Sequence, residues 1–91
     1  MHIAIVEDEK ACTSILEQHL QRFQEETNTE IQHRSYTNSM DFLATYQPVW
    51  DLLLLDIEMP MMDGLTLAHK IREMDTNVLI IFVTKMAQYA M

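Results

Sequence analysis

The sequence predicts an α/β domain whose four parallel strands form a doubly wound sheet in the order 2-1-3-4. Three observations carry this. Strand-length apolar runs alternate with segments whose apolar residues recur at helical spacing, the pattern of βαβ units. The first, third and fourth runs are apolar throughout, as strands are when helices cover both faces of a sheet. The second carries Gln32, His33, Arg34 and Ser35, which suits an edge.

Taken in order, His2 to Val6 reads as the first strand. Lys10 to about Glu25 reads as a helix with Ile15, Leu16, Leu20 and Phe23 on one face, and Asp8 or Glu9 can cap its first turn. Thr27-Asn28-Thr29 breaks that pattern. Ile31 to Tyr36 is the mixed second strand. Asn38 or Ser39 caps a short helix running to about Tyr46, and Pro48 stops it. Asp51 to Leu55 is the third strand. Asp63-Gly64 starts a helix over Leu65 to Met74 that turns Leu67, Ala68, Ile71 and Met74 inward. Asp75-Thr76-Asn77 is a loop, Val78 to Val83 is the fourth strand, and Thr84 opens a final helical stretch.

The 91 residues suit one small domain spanning 1–91. An apolar fraction of 48%, with one glycine and two prolines, argues against disorder. The formal charge of −8, with only six Lys and Arg scattered along the chain, argues against direct nucleic-acid contact. One cysteine, Cys12, builds no disulfide framework and fits a packed residue in a cytoplasmic protein. Nothing basic precedes the first strand, so no signal peptide is read, and Val78 to Val83 is too short to span a membrane.

The chemistry lies where strands end. Leu52 to Leu55 runs directly into Asp56, and Ile3 to Val6 runs into Glu7 and Asp8. With right-handed crossovers and the first and third strands adjacent, these three acids meet at the carboxyl edge of the sheet, where open α/β sheets bind ligands. Clustered carboxylates repel unless a cation lies among them. Hard oxygen donors of this kind suit Mg2+, and a carboxylate beside it can act as a nucleophile toward phosphorus. Thr84 ends the fourth strand at the same edge, and its hydroxyl and the following helix N-terminus suit a phosphoryl group.

The segments Val6-Glu7-Asp8-Glu9, Leu54-Leu55-Asp56-Ile57-Glu58-Met59-Pro60, Asp63-Gly64 and Phe82-Val83-Thr84 together resemble the receiver domain of two-component response regulators, in order and over essentially the whole chain. The resemblance implies a flavodoxin-like sheet. It implies Asp56 as the phospho-acceptor, Glu7 and Asp8 as the acidic pair around Mg2+, Glu58 as the donor of a backbone carbonyl to the metal, and Thr84 as the switch hydroxyl. It implies a sensor histidine kinase as phosphodonor and a transcriptional output domain. The Leu-rich third strand and Tyr89-Ala90 are most similar to receivers of the LytTR class, whose output half binds DNA.

The chain departs from the family in reaching Met91 before a fifth strand and its phosphate-pairing lysine, and Lys85 does not stand in that lysine's place. A domain incomplete at its C-terminus leaves the fourth strand open, and a homodimer that exchanges or pairs strands would cover it. Two other readings use the same residues. Asp56-Ile57-Glu58 resembles the nucleophile motif of haloacid-dehalogenase-type phosphatases, although Met59-Pro60 replaces the usual Gly-Thr. A phosphate-independent interaction module with the same fold is the other.

Overall fold

The computed structural model describes residues 1–83. Thr84, Lys85, Tyr89 and the helical stretch expected from Thr84 lie outside the described residues. Seven elements alternate: β1 (His2–Val6), α1 (Lys10–Thr27), β2 (Gln32–Tyr36), α2 (Ser39–Ala44), β3 (Leu52–Asp56), α3 (Gly64–Met74) and β4 (Leu79–Val83). The strands form one sheet in the order β2-β1-β3-β4, and every neighbouring pair is parallel. The predicted topology is therefore the one observed.

Strand alternation divides the core into two layers. Ala4, Val6, Leu53 and Leu55 face α2 and α3 and pack with Phe42, Leu67 and Ile71. Tyr36, Phe42, Tyr46 and Trp50 add edge-on aromatic contacts on that side. Ile3, Ile5 and Leu54 face the other way, against Leu16 and Leu20 of α1.

The strand limits shift by a residue for local reasons. Ile31 donates its N–H to the Gln24 side chain (2.7 Å), so β2 begins at Gln32. Val78 donates to Asp75 Oδ1 (3.2 Å), so β4 begins at Leu79. β3 extends to Asp56, which pairs with Val83.

The helices correct several expectations. α1 runs to Thr27 and ends where Asn28 takes a left-handed conformation (φ 55°). Glu9 is its N-cap residue but makes no side-chain capping bond. Its apolar face is narrower than predicted: Leu16 and Leu20 reach the sheet, while Ile15 and Phe23 are half exposed (both 48%). Ile15 lies about 100° around the helix from Leu16, and an 18-residue helix, about 27 Å long, overhangs five-residue strands of about 17 Å, leaving Phe23 beyond them.

Asn38, rather than Ser39, caps α2, accepting the Asp41 N–H at 2.8 Å, and the helix ends at Ala44. Asp63 caps α3 in the same way through Thr66 (2.7 Å). Met74, predicted inward, is 55% exposed, whereas the next residue, Asp75, is buried. The chain turns in at Asp75, whose carboxylate accepts from Tyr46 Oη at 2.6 Å and from the N–H groups of Asn77 and Val78. The Tyr46 bond is the chief reason the Asp75 carboxyl is held below its ordinary pKa.

β4 also departs from the prediction that both faces of each apolar strand are covered. Leu79, Ile81 and Phe82 are 58%, 44% and 39% exposed among the described residues.

Candidate metal centre

Glu7 follows the last residue of β1, and Asp56 is the last residue of β3. Val6 is in register with Leu55, so the parallel pairing brings Glu7 and Asp56 side by side at the carboxyl edge. Asp8, half-buried, completes the group: Glu7, Asp8 and Asp56 each offer a carboxylate oxygen within 4.8 Å of the others. This is the convergence that the strand ends implied.

Both buried acids are anchored through the backbone. Glu7 donates its N–H to the Tyr36 carbonyl of β2 (3.0 Å), and its Oε2 accepts from the Glu9 N–H (3.1 Å). Asp56 Oδ1 accepts from the Glu58 N–H (3.3 Å), and Ile57 donates to the Val83 carbonyl of β4 (3.2 Å). Burial pushes the Glu7 carboxyl up to about 7; the Glu9 N–H opposes this, and the neighbouring Asp8 and Asp56 add to it. An acid raised in this way, between two others, marks a place where a cation would relieve both desolvation and repulsion.

The donor set fits Mg2+. It consists of hard oxygens, it is anionic, and one member lies partly open, as an ion that keeps several of its waters requires. Two other predicted participants stand differently. Glu58 has an exposed side chain, and its backbone follows Asp56 directly in the loop. Thr84 lies outside the described residues; Val83, which precedes it, pairs with Asp56.

The loop from Ile57 to Asp63 is closed at its base by Gly64, whose N–H reaches the Ile57 carbonyl (2.9 Å). Its three methionines part company. Met59 is buried in the α2–α3 core, Met62 is half-buried against it, and Met61 is 90% exposed with a φ of 71°. Sequence reasoning missed the residue that holds this loop. Ser39, read only as a possible cap, is 1% exposed and donates from Oγ to the Met62 carbonyl at 2.9 Å, with Met59 Sδ 3.7 Å away. Its spacing of three from Phe42 was the available signal, since residues i and i+3 share a helix face.

Comparison with known proteins agrees with this fold. The family model of the response regulator receiver domain matches residues 3–91. The transcriptional regulatory protein YclJ of Bacillus subtilis is 35% identical over 89 residues, covering 93% of this chain and 35% of YclJ. Response regulator ARR10 of Arabidopsis thaliana is 30% identical over 92 residues, covering 100% of this chain and 16% of ARR10. The chain thus spans about a third or less of these curated relatives. Among solved structures, response regulator TrrA of Thermotoga maritima, in complex with Mg(2+)-BeF, superposes with a TM-score of 0.77 at 28% identity, over 97% of this chain and 72% of TrrA.

Proposed function

Because the chain belongs to the response regulator receiver domain family, we propose that it is a phosphorylation switch in which Asp56 accepts a phosphoryl group from a phosphohistidine of a sensor histidine kinase. The observation that carries this reading is the convergence of Glu7, Asp8 and Asp56 at one sheet edge. In the transfer, a carboxylate oxygen of Asp56 forms a bond to phosphorus as the bond from phosphorus to the imidazole nitrogen breaks and the departing ring takes up a proton from water, leaving an acyl phosphate and a neutral histidine.

Glu7, Asp8 and Asp56, with the Glu58 backbone carbonyl, would hold Mg2+, which supplies charge neutralisation for the transferred group. That TrrA was solved with Mg(2+)-BeF supports the cation. Glu7 and Asp8 orient the site, and the Glu58 N–H fixes one oxygen of Asp56. Thr84 serves as the switch hydroxyl that follows the phosphoryl group and shifts a two-state equilibrium at the β4 edge.

The proposal extends to the setting. The receiver works in the cytoplasm, controls a transcriptional output domain of the LytTR class, leaves DNA contact to that domain, and pairs as a homodimer through β4. The description of YclJ as a transcriptional regulator supports the output, and the net charge of −8 supports the division of labour.

The test is incubation with acetyl phosphate and Mg2+, read by intact mass. The expected result is a gain of one phosphoryl group that Asp56→Asn abolishes. Equal labelling of wild type and variant would reject the assignment, and steady turnover of a generic phosphate ester would favour the phosphatase reading.

A further inference from the structure

Ser39 is a buried polar residue that the family motifs do not include. Its position joins the two halves of the acidic site. Tyr36, three residues earlier, accepts the Glu7 N–H at 3.0 Å; Ser39 itself donates to the Met62 carbonyl at 2.9 Å, in the loop that leaves Asp56. The short connection from β2 to α2 therefore touches the strand end that carries Glu7 and the loop that carries Glu58. α2 is fixed to that connection by the Asn38 cap and to the core by Phe42. Between Ile57 and Asp63, the loop has the Glu58 N–H bond to Asp56 Oδ1 (3.3 Å), a local bond from the Met62 N–H to the Pro60 carbonyl (2.9 Å), the Ile57–Gly64 closure at its base and the Ser39 bond to α2.

From this geometry we infer that Ser39 is a positioning residue for the cation site: its hydroxyl sets the loop from Ile57 to Asp63 against α2, and so holds the Glu58 backbone at a fixed distance from Glu7 and Asp8. The inference rests on the reading that these acids bind a divalent cation. Removing the hydroxyl leaves the partly buried Met62 carbonyl without this donor, and the loop must shift to find another. Cation affinity falls because one side of the site is no longer set in advance.

The experiment is a titration with Mn2+ in place of Mg2+, followed by the electron paramagnetic resonance signal of the unbound ion. Wild type, Ser39→Ala, Ser39→Cys, Asp8→Asn and Tyr46→Phe are compared. The expected result is binding by wild type, loss in Asp8→Asn, a roughly tenfold weaker affinity in Ser39→Ala, and an intermediate value in Ser39→Cys, which keeps the size with a poorer donor. Tyr46→Phe deletes a partly buried hydrogen bond to Asp75 away from the site, and should bind as wild type does, which separates positioning from general destabilisation. Wild-type affinity in Ser39→Ala overturns the inference alone. If Ser39→Ala does not fold, wild-type affinity in Ser39→Cys overturns it. Equal binding by wild type and Asp8→Asn overturns the cation reading itself.

Discussion

Gly64 lies against the backbone of Asp56. A Cβ added at position 64 would overlap the Asp56 carbonyl oxygen and stand 2.9 Å from its carbonyl carbon. The sole glycine of the chain is thus required by close approach at the candidate acceptor. Neither partner can yield cheaply, because the colliding atoms are backbone in a buried strand end.

Gly64→Ala is therefore expected to destabilise the domain by about 3 kcal/mol, the upper range for overpacking a tight site. It should also displace Asp56. Urea denaturation gives the first effect and Mn2+ affinity the second. A variant as stable as wild type would show that the approach of α3 to β3 is looser than described.

Glu7 gives a pH dependence whose sign is fixed by its environment. Burial raises its folded pKa to about 7 from 4.5. Between those values the unfolded chain ionises and the folded one keeps its proton. Without divalent cations, the Glu7 contribution to stability is thus fully present below pH 4.5, declines as pH rises, and is lost above about pH 7. In EDTA, Glu7→Gln should lessen the fall in stability over that window. With Mg2+, the folded state favours the carboxylate, so stabilisation by the ion should grow as pH rises toward 7. Thermal melts at several pH values check both. An identical profile for wild type and Glu7→Gln would remove Glu7 from the account.

Much of this site was legible in the sequence because it depends on covalent neighbours of buried strands. Four leucines before Asp56, and four apolar residues before Glu7, fix where each acid emerges. Parallel pairing then leaves little freedom in how they meet. Ser39 was not legible in the same way, since its function depends on which carbonyl of a distant loop comes to rest over it. Ile15 and Met74 failed for a related reason. Periodicity identifies an apolar stripe, but the width and length of the sheet beneath decide how much of it is covered.

Met61 holds a φ of 71° with its side chain 90% exposed. An L-residue with a side chain incurs a steric cost there, and this one recovers nothing by packing. Met61→Gly should stabilise the domain by about 1 kcal/mol, the reverse of the cost of placing a side chain at a positive φ. The gain is read as a shift of the urea midpoint. A loss instead would mean that Met61 makes contacts that its exposure does not suggest.

β4 sets the expectation for assembly. Its register with β3 places Leu79 beside Leu52 and Ile81 beside Leu54, so both extend the apolar surface that carries Ile3 and Ile5. They remain 58% and 44% exposed. An apolar strand with open side chains invites pairing with another chain, and a two-fold arrangement of like strands is self-complementary and closes. The 91-residue chain is accordingly expected to show a concentration-dependent rise in sedimentation coefficient. Ile81→Lys should suppress it at little cost to the fold, because an exposed lysine at a strand edge opposes pairing while its ammonium stays in water. A monomer at every concentration, for wild type and variant alike, would remove β4 as a contact between copies.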